Sequence, residues 1–323
     1  MATTPFPIDN LPYGVISTAA NPAPRCATAL ERDAIELSAL EKDGFFSSIA
    51  GFPSGGEIFS QSTLNAFAAL PAATRAQVRA VLTTELVKPE VRSEYAVPLE
   101  DVTNHFPMET SNFSDFYCSL EHTQNVRALL PRPHLPPRMC CALMSSPIPE
   151  NWFYTPSVYN GRTSSLRVSG TPITRPHGVF RTLIPPSSRP AEGEGEPKPK
   201  PEPVFQPSRL FDFELEMGVF LGKPLPAGAI LDVAHAAEYV FGLVILNDWS
   251  ARDIQMFEMP PLGPFHGKGA GTTISPWIVS AEALAGCASA STKVQSPAPL
   301  PHLAYKGEKG EETWDVELTA KVI

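Results

Sequence analysis

Apolar and polar residues alternate over 211–217 (FDFELEM), which places Asp212, Glu214 and Glu216 on one face of a strand and Phe213, Leu215 and Met217 on the other. An apolar run over 239–246 (YVFGLVIL) follows and ends at Asn247-Asp248. Over 72–88 (AATRAQVRAVLTTELVK) the pattern is helical, with Pro71 suited to the first turn. Residues 26–40 (CATALERDAIELSAL) leave two readings open, a hairpin about Glu31-Arg32-Asp33 or a helix. The tail, 313–323 (TWDVELTAKVI), alternates as a strand does. Prolines, 36 of them, interrupt helices and central strands, so long helices should be few and the chain mainly β with many loops. Two stretches lack periodicity. Residues 131–150 are proline-rich and irregular, and 185–203 (PPSSRPAEGEGEPKPKPEP) read as a disordered surface loop.

A length of 323 residues allows one large or two ordinary domains, and we place the division between 1–107 and 108–323. Apolar content of 43% is enough for a substantial core. A net charge of −9 without any basic cluster argues against a nucleic-acid partner. No apolar run reaches bilayer length, so no membrane partner is expected, and the N-terminus (MATTPFPIDNLPYG) has no secretory pattern. The cysteines, at 26, 118, 140, 141 and 287, are odd in number and lack zinc spacing, which predicts a reduced, cytoplasmic protein.

Chemistry concentrates in a few segments. Three carboxylates on one strand face repel each other, and burial strengthens the repulsion. A hard divalent cation with oxygen ligands offsets it, with Asp248 as a further ligand; the plainer reading is a solvated face of an edge strand. In 111–126 (SNFSDFYCSLEHTQNV), Asp115 can ligate a hard cation. His122 there is of the residue type that serves as a general base near neutrality, or is simply structural. Residues 159–172 (YNGRTSSLRVSGTP) are either an ordinary hairpin or a substrate-facing loop offering Tyr159 and Arg162 to an anionic ligand. In 247–255 (NDWSARDIQ), a helix starting near Trp249 sets Arg252 and Gln255 on one side, as donors for an oxyanion beside Asp248. The alternative is a charged first turn capped by Asp248. Residues 262–273 (LGPFHGKGAGTT) lack the spacing of a phosphate loop. Their glycines instead let backbone approach a ligand, with Lys268 and Thr272 pointing into it.

Taken together, NLPYGVIST, SDFYCSLEHTQNV, YNGRTSSLRVSGTPI, FDFELEM, FGLVILNDWSARDIQ and PLGPFHGKGAGTTISPW resemble the fumarylacetoacetate hydrolase family in order and near-family spacing, across most of residues 8–321. The resemblance implies an α+β, mainly β fold: an SH3-like N-terminal barrel and a catalytic β-roll of mixed strands, as a homodimer. It implies hydrolysis of the C–C bond of 4-fumarylacetoacetate to fumarate and acetoacetate, the last step of tyrosine and phenylalanine catabolism. It further implies calcium or magnesium held by Asp115, Glu214, Glu216 and Asp248, with Lys268 and Thr272 beside the ion. His122 matches the base that activates water. Arg252, Gln255 and Lys268 match oxyanion donors, and Tyr117, Tyr159 and Gln255 match substrate contacts.

Three departures accompany the resemblance. A family Arg that contacts substrate aligns with Pro131, leaving Arg132 as its substitute. A family Tyr after the ARDIQ motif aligns with Met259. The family continues past the position of Ile323 with a Gly-Thr-Ile-Ser-Gly segment and a Glu that orients the catalytic His. A chain without that Glu is expected to bind metal weakly and to lose rate on the order of thousands-fold. Two other readings follow. One is an impaired metal-binding subunit that pairs with complete copies. The other is a fold relative acting as a β-keto acid decarboxylase or isomerase, against which the N-terminal unit and the His122 motif argue.

Overall fold

Strands β1 (Tyr13–Thr18), β2 (Arg25–Leu30), β3 (Asp33–Glu36), β4 (Ala96–Pro98) and β5 (Val102–Asn104) form an antiparallel sheet in the order β4-β3-β2-β1-β5. The computed structural model describes residues 6–55, 57–129, 148, 150–182 and 202–322. Pro131, Arg132, nearly all of 131–150 and most of 185–203 therefore lie outside the described residues. Of the two readings of 26–40, the hairpin is the one adopted: Leu30 pairs with Asp33, and Glu31 takes φ 55°, the left-handed value such tight turns require. The helix begins only at Leu37. The sheet is the small N-terminal β-unit expected. It is open, because β4 and β5 share no ladder among the described residues.

The helix Ala72–Glu85 forms where the periodicity places it, with Pro71 one residue earlier than expected, as its N-cap. Its buried Val78 and Leu82 close the core under the sheet. That core does not end with the N-terminal unit. Phe67 packs at a tilt against both Tyr13 and Phe59, ring centroids 4.9 Å apart, and meets Phe241, far along the chain, edge-on at 5.8 Å. Arg75 ties the same seam. It pairs with Glu282 at 2.9 Å and donates to the carbonyls of Ala68 and Leu70. Removing one partner of a buried ion pair leaves the other charge uncompensated. Arg75→Met is therefore expected to cost about 3–5 kcal/mol, read as a lowered urea midpoint, and an unchanged midpoint would contradict this account of the seam.

The rest of the chain supplies β6 (Ser114–Phe116), β7 (Val158–Asn160), β8 (Leu166–Val168), β9 (His177–Arg181) and β10 (Pro203–Pro207). Next come β11 (Phe211–Asp212), β12 (Leu215–Leu221), β13 (Val240–Asp248) and β14 (Ser250–Ala251). The last are β15 (Thr272–Ile274), β16 (Val279–Ser280), β17 (Ala288–Ser289) and β18 (Thr313–Trp314). The main sheet runs β12-β13-β15-β8, with β16 also on β13. It is antiparallel except where β15 meets β8, so it is mixed as expected. The longest described helix has 14 residues, and none is long and apolar enough to cross a membrane.

Two local readings do not hold. Residues 159–172 are not a hairpin: β7 pairs with β6 and β8 with β15, because each short strand finds a distant partner. The tail forms a strand only at Thr313 and Trp314, followed by one bond from Asp315 N–H to the Cys287 carbonyl at 2.8 Å, while 315–322 carry no strand and are exposed. Alternation predicts which face a strand would bury, but a strand exists only where a neighbour completes its ladder.

Candidate metal centre

The carboxylate-bearing strand is a single register in two pieces. Asp212 pairs with Ser250 and Leu215 with Asn247, so the count is unbroken although Phe213 and Glu214 leave the ladder. Glu214 is held there by its neighbours: its N–H donates to Asn247 Oδ1, and its carbonyl accepts from Asp248 N–H. The period of two thus keeps Asp212, Glu214 and Glu216 on one side. That side faces inward. The apolar side faces out, with Met217 38%, Val219 51% and Leu221 60% exposed. At the Glu214–Glu216 end the usual arrangement is reversed and what lies inside is acid, while Phe220 further along the same side packs on the core.

Glu216 pairs with Leu246, so Asp248, two residues further along β13, is its diagonal neighbour on the same face. Asp115 arrives from β6, directly opposite Tyr159 on β7. Carboxylate oxygens of Asp115, Glu216 and Asp248 lie within 4.8 Å of one another. Tyr159 spans two of these acids, donating to Asp115 Oδ2 at 2.6 Å and to Asp248 Oδ2 at 3.2 Å. Thr272, opposite Asp248 on β15, donates to Asp248 Oδ1 at 3.1 Å. Lys268 donates to Asp248 Oδ2 at 2.7 Å and to Glu214 Oε2.

Charge is divided unevenly across the centre. Burial alone would raise Glu214, but His122, Lys268 and Arg252 outweigh it and hold this carboxyl far below the usual range. Burial pushes Glu216 up to about 9, reinforced by Asp115, Asp248 and Glu214. Burial likewise lifts Asp248, to about 6, with Lys268 opposing and Asp115 and Glu214 adding to it. Tyr159 is driven far above a normal phenol by burial and by the two carboxylates. For Lys268, burial works against the charge, but Asp248 and Glu214 prevail and keep the amine protonated. Burial and mutual repulsion therefore bear most on Glu216 and Asp248, even though Lys268 is bonded to Asp248. Three clustered hard oxygen donors that repel one another fit a hard divalent cation.

Glu214 is drawn the other way. Arg252 bonds it at 2.7 Å and Asp212 at 2.9 Å, and His122 Nε2 lies 3.3 Å from Glu214 Oε1. His122 sits in the first turn of the helix Leu120–Leu129, its N–H capped by Ser119 Oγ. Tyr117 meets its ring edge-on at 5.5 Å. The expected helix in NDWSARDIQ starts at Arg252, with Ala251 rather than Asp248 before it, and Arg252 donates to Gln255 Oε1 across one turn. Arg162 is committed to the carbonyl of Gly269, so it braces the glycine loop instead of facing an open cleft.

Sequence patterns did not single out Asp253. It is buried and accepts from Ser208 Oγ, Arg209 N–H and Leu210 N–H, which fixes the approach to Asp212. Its only sequence signal is an acid amid the apolar and polar residues of a short helix.

Comparison with known proteins bears on what this centre belongs to. Residues 9–107 match the family described as Fumarylacetoacetase N-terminal, and 111–297 that described as Fumarylacetoacetate (FAA) hydrolase C-terminal. The chain is 35% identical over 331 residues to a fumarylacetoacetase of Emericella nidulans, covering 99% of this chain and 71% of that one. It is 38% identical over 308 residues to the fumarylacetoacetase of Bos taurus, covering 93% and 66%. With that of Rattus norvegicus it shares 37% over 330 residues, covering 97% and 69%. The chain thus spans 66–71% of the length of these relatives. A solved fumarylacetoacetate hydrolase from psychrophilic Exiguobacterium antarcticum is similar at TM-score 0.43 and 14% identity, over 85% of this chain and 68% of that one. Matched along nearly its whole length and at these identities, the chain belongs to the fumarylacetoacetate hydrolase family.

Proposed function

We propose that the carboxylate centre is where this chain carries out the hydrolysis that its family membership supports, cleavage of 4-fumarylacetoacetate into fumarate and acetoacetate. In this reading 108–323 is the catalytic unit and 1–107 its support. Asp115, Glu216 and Asp248 hold a calcium or magnesium ion, with Glu214 at its edge and Lys268 and Thr272 fixing Asp248. The ion so held supplies Lewis-acid polarisation of the substrate's diketone oxygens.

The protein's own groups do the rest. His122, the imidazole facing Glu214 Oε1, takes a proton from the attacking water. Addition of that water's oxygen to the carbonyl carbon leaves an oxyanion, for which Lys268 and the amide NH2 of Gln255 are donors. Arg252 is bonded to Asp212 and Glu214, and it stabilises the oxyanion through its charge while anchoring those acids. Collapse of the oxyanion breaks the C–C bond. The bonding pair leaves with the acetoacetate fragment as an enolate, which then takes up a proton. Tyr117 and Tyr159 flank the substrate. The reading carries with it a cytoplasmic homodimer acting in tyrosine and phenylalanine catabolism.

The observation that carries the proposal is the convergence of Asp115, Glu216 and Asp248 from three separate strands to within 4.8 Å. The test is steady-state loss of fumarylacetoacetate by the purified chain, treated with chelator and then titrated with calcium or magnesium. The rate should vanish on chelation, return with the ion, and stay absent in Glu216→Gln. Full activity in chelator would overturn it.

A further inference from the structure

The helix Arg252–Glu258 ends beside the glycine loop, and its last residue is an acid without a role so far. The Glu258 carboxylate accepts three successive backbone N–H groups: Phe265 at 2.9 Å, His266 at 2.9 Å and Gly267 at 2.7 Å. Consecutive N–H groups converging in this way form an anion-binding nest. Here the protein's own carboxylate fills it, which also accounts for a loop that superficially resembles a phosphate loop. The loop is gripped from the other side as well, since Ala251 N–H donates to Gly267 carbonyl at 2.7 Å. Only glycine permits this closeness: a Cβ at Gly267 would lie 2.6 Å from Gln255 backbone nitrogen. The residue immediately after this double clamp is Lys268.

We propose that Glu258 is a positioning residue that fixes Lys268 between Glu214 and Asp248. This inference rests on the functional reading above. Lys268 reaches its two carboxylates along a flexible four-carbon stem, so its place depends on where the backbone at 267–268 is held. With Glu258 gone, three N–H groups lose a charged acceptor, the loop loosens, and the ammonium no longer has one fixed position.

The test uses the full chain and four variants: Glu258→Ala, Glu258→Gln, Lys268→Met and the double variant. Misplacement by about 1 Å costs about 100-fold, so Glu258→Ala should lower kcat by about that factor with KM little changed. Glu258→Gln, which must turn its NH2 toward at least one donor, should fall between it and the unmodified chain; it also serves if the Ala variant does not fold. In the Lys268→Met background, losing Glu258 should cost little further, because both changes remove the same positioned charge. Independently of activity, amide hydrogen exchange at 265–267 should lose protection in Glu258→Ala, while 209–210, held by Asp253, keeps it. Additive losses, or exchange that accelerates equally at 209–210, would overturn the proposal. Full activity in Lys268→Met would overturn the functional reading itself.

Discussion

Asp248→Asn is expected to abolish turnover and ion binding while leaving the ion-free protein as stable as before, or more so. The sign follows from the balance of charge at β13's end. Asp248 has favourable partners in Lys268, Thr272 and Tyr159, yet its carboxyl is still lifted, because burial and the neighbouring Asp115 and Glu214 outweigh them. Ionising it in the folded protein thus opposes folding. Removing that charge relieves the repulsion, and the amide oxygen still accepts from Lys268 or Thr272. What is lost is one of three anionic oxygens that converge on the cation position. In the unmodified chain, an ion at a hundred times its Kd should stabilise the fold by about 2.7 kcal/mol, seen as a higher Tm when calcium or magnesium is added. Asp248→Asn should show no such rise at any concentration tested, and a midpoint in chelator at or above the unmodified one. A variant that still gains stability from the ion, or that unfolds early in chelator, would mean Asp248 serves the fold instead.

That trade between stability and chemistry is visible in the reversed amphipathicity of β12. A strand that turns Glu214 and Glu216 inward and leaves Met217, Val219 and Leu221 exposed does not minimise folding energy on its own account. It makes sense when the buried acids receive a compensating charge. The alternation of Asp212, Glu214 and Glu216 was legible from the chain, because period two survives the break at Phe213 and Glu214. Which face turned inward was not, since both readings have the same period and the outcome depends on what covers each face, with Asp115 of β6 and Tyr159 of β7 arriving on the acidic one. Asp248 was legible as the polar end of an apolar strand. Its meeting with Asp115 was expected only through the family resemblance, and the Tyr159 bridge between the two acids was not expected at all, because it depends on a strand pairing between residues 44 apart.

The roles of Arg162, Asp253 and Glu258 escaped for a related reason. Each bonds backbone groups of another segment, and a backbone N–H or carbonyl looks the same whatever residue carries it. Sequence distinguishes side chains, so it marks ligands and bases more readily than the groups that hold loops in place. The hairpin at 26–40 shows the same limit. Glu31 takes a left-handed φ that its residue type does not advertise, and periodicity alone left a helix equally open. In the tail, the alternation of TWDVELTAKVI was real, but among the described residues only Thr313 and Trp314 found a partner strand.

His122→Gln separates proton transfer from ion binding. Glutamine keeps a polar group of similar reach at the start of the helix Leu120–Leu129, so the cap from Ser119 and the packing against Tyr117 should survive. It cannot take a proton from water near neutrality, and general base catalysis is typically worth about 10²–10⁴-fold. We expect kcat to fall by that factor, with KM, the ion's effect on Tm and the urea midpoint all near those of the unmodified chain. The contrast with Asp248→Asn is the informative part: one variant should lose the ion and the rate together, the other the rate alone. His122 is also a partner of Glu214, a carboxylate already paired with Arg252 and Lys268. Were this its main purpose, His122→Gln would leave Glu214 still doubly paired and the rate nearly intact. A kcat within a few-fold of the unmodified chain would therefore assign His122 to holding Glu214 in place and leave the base to be found elsewhere in the centre.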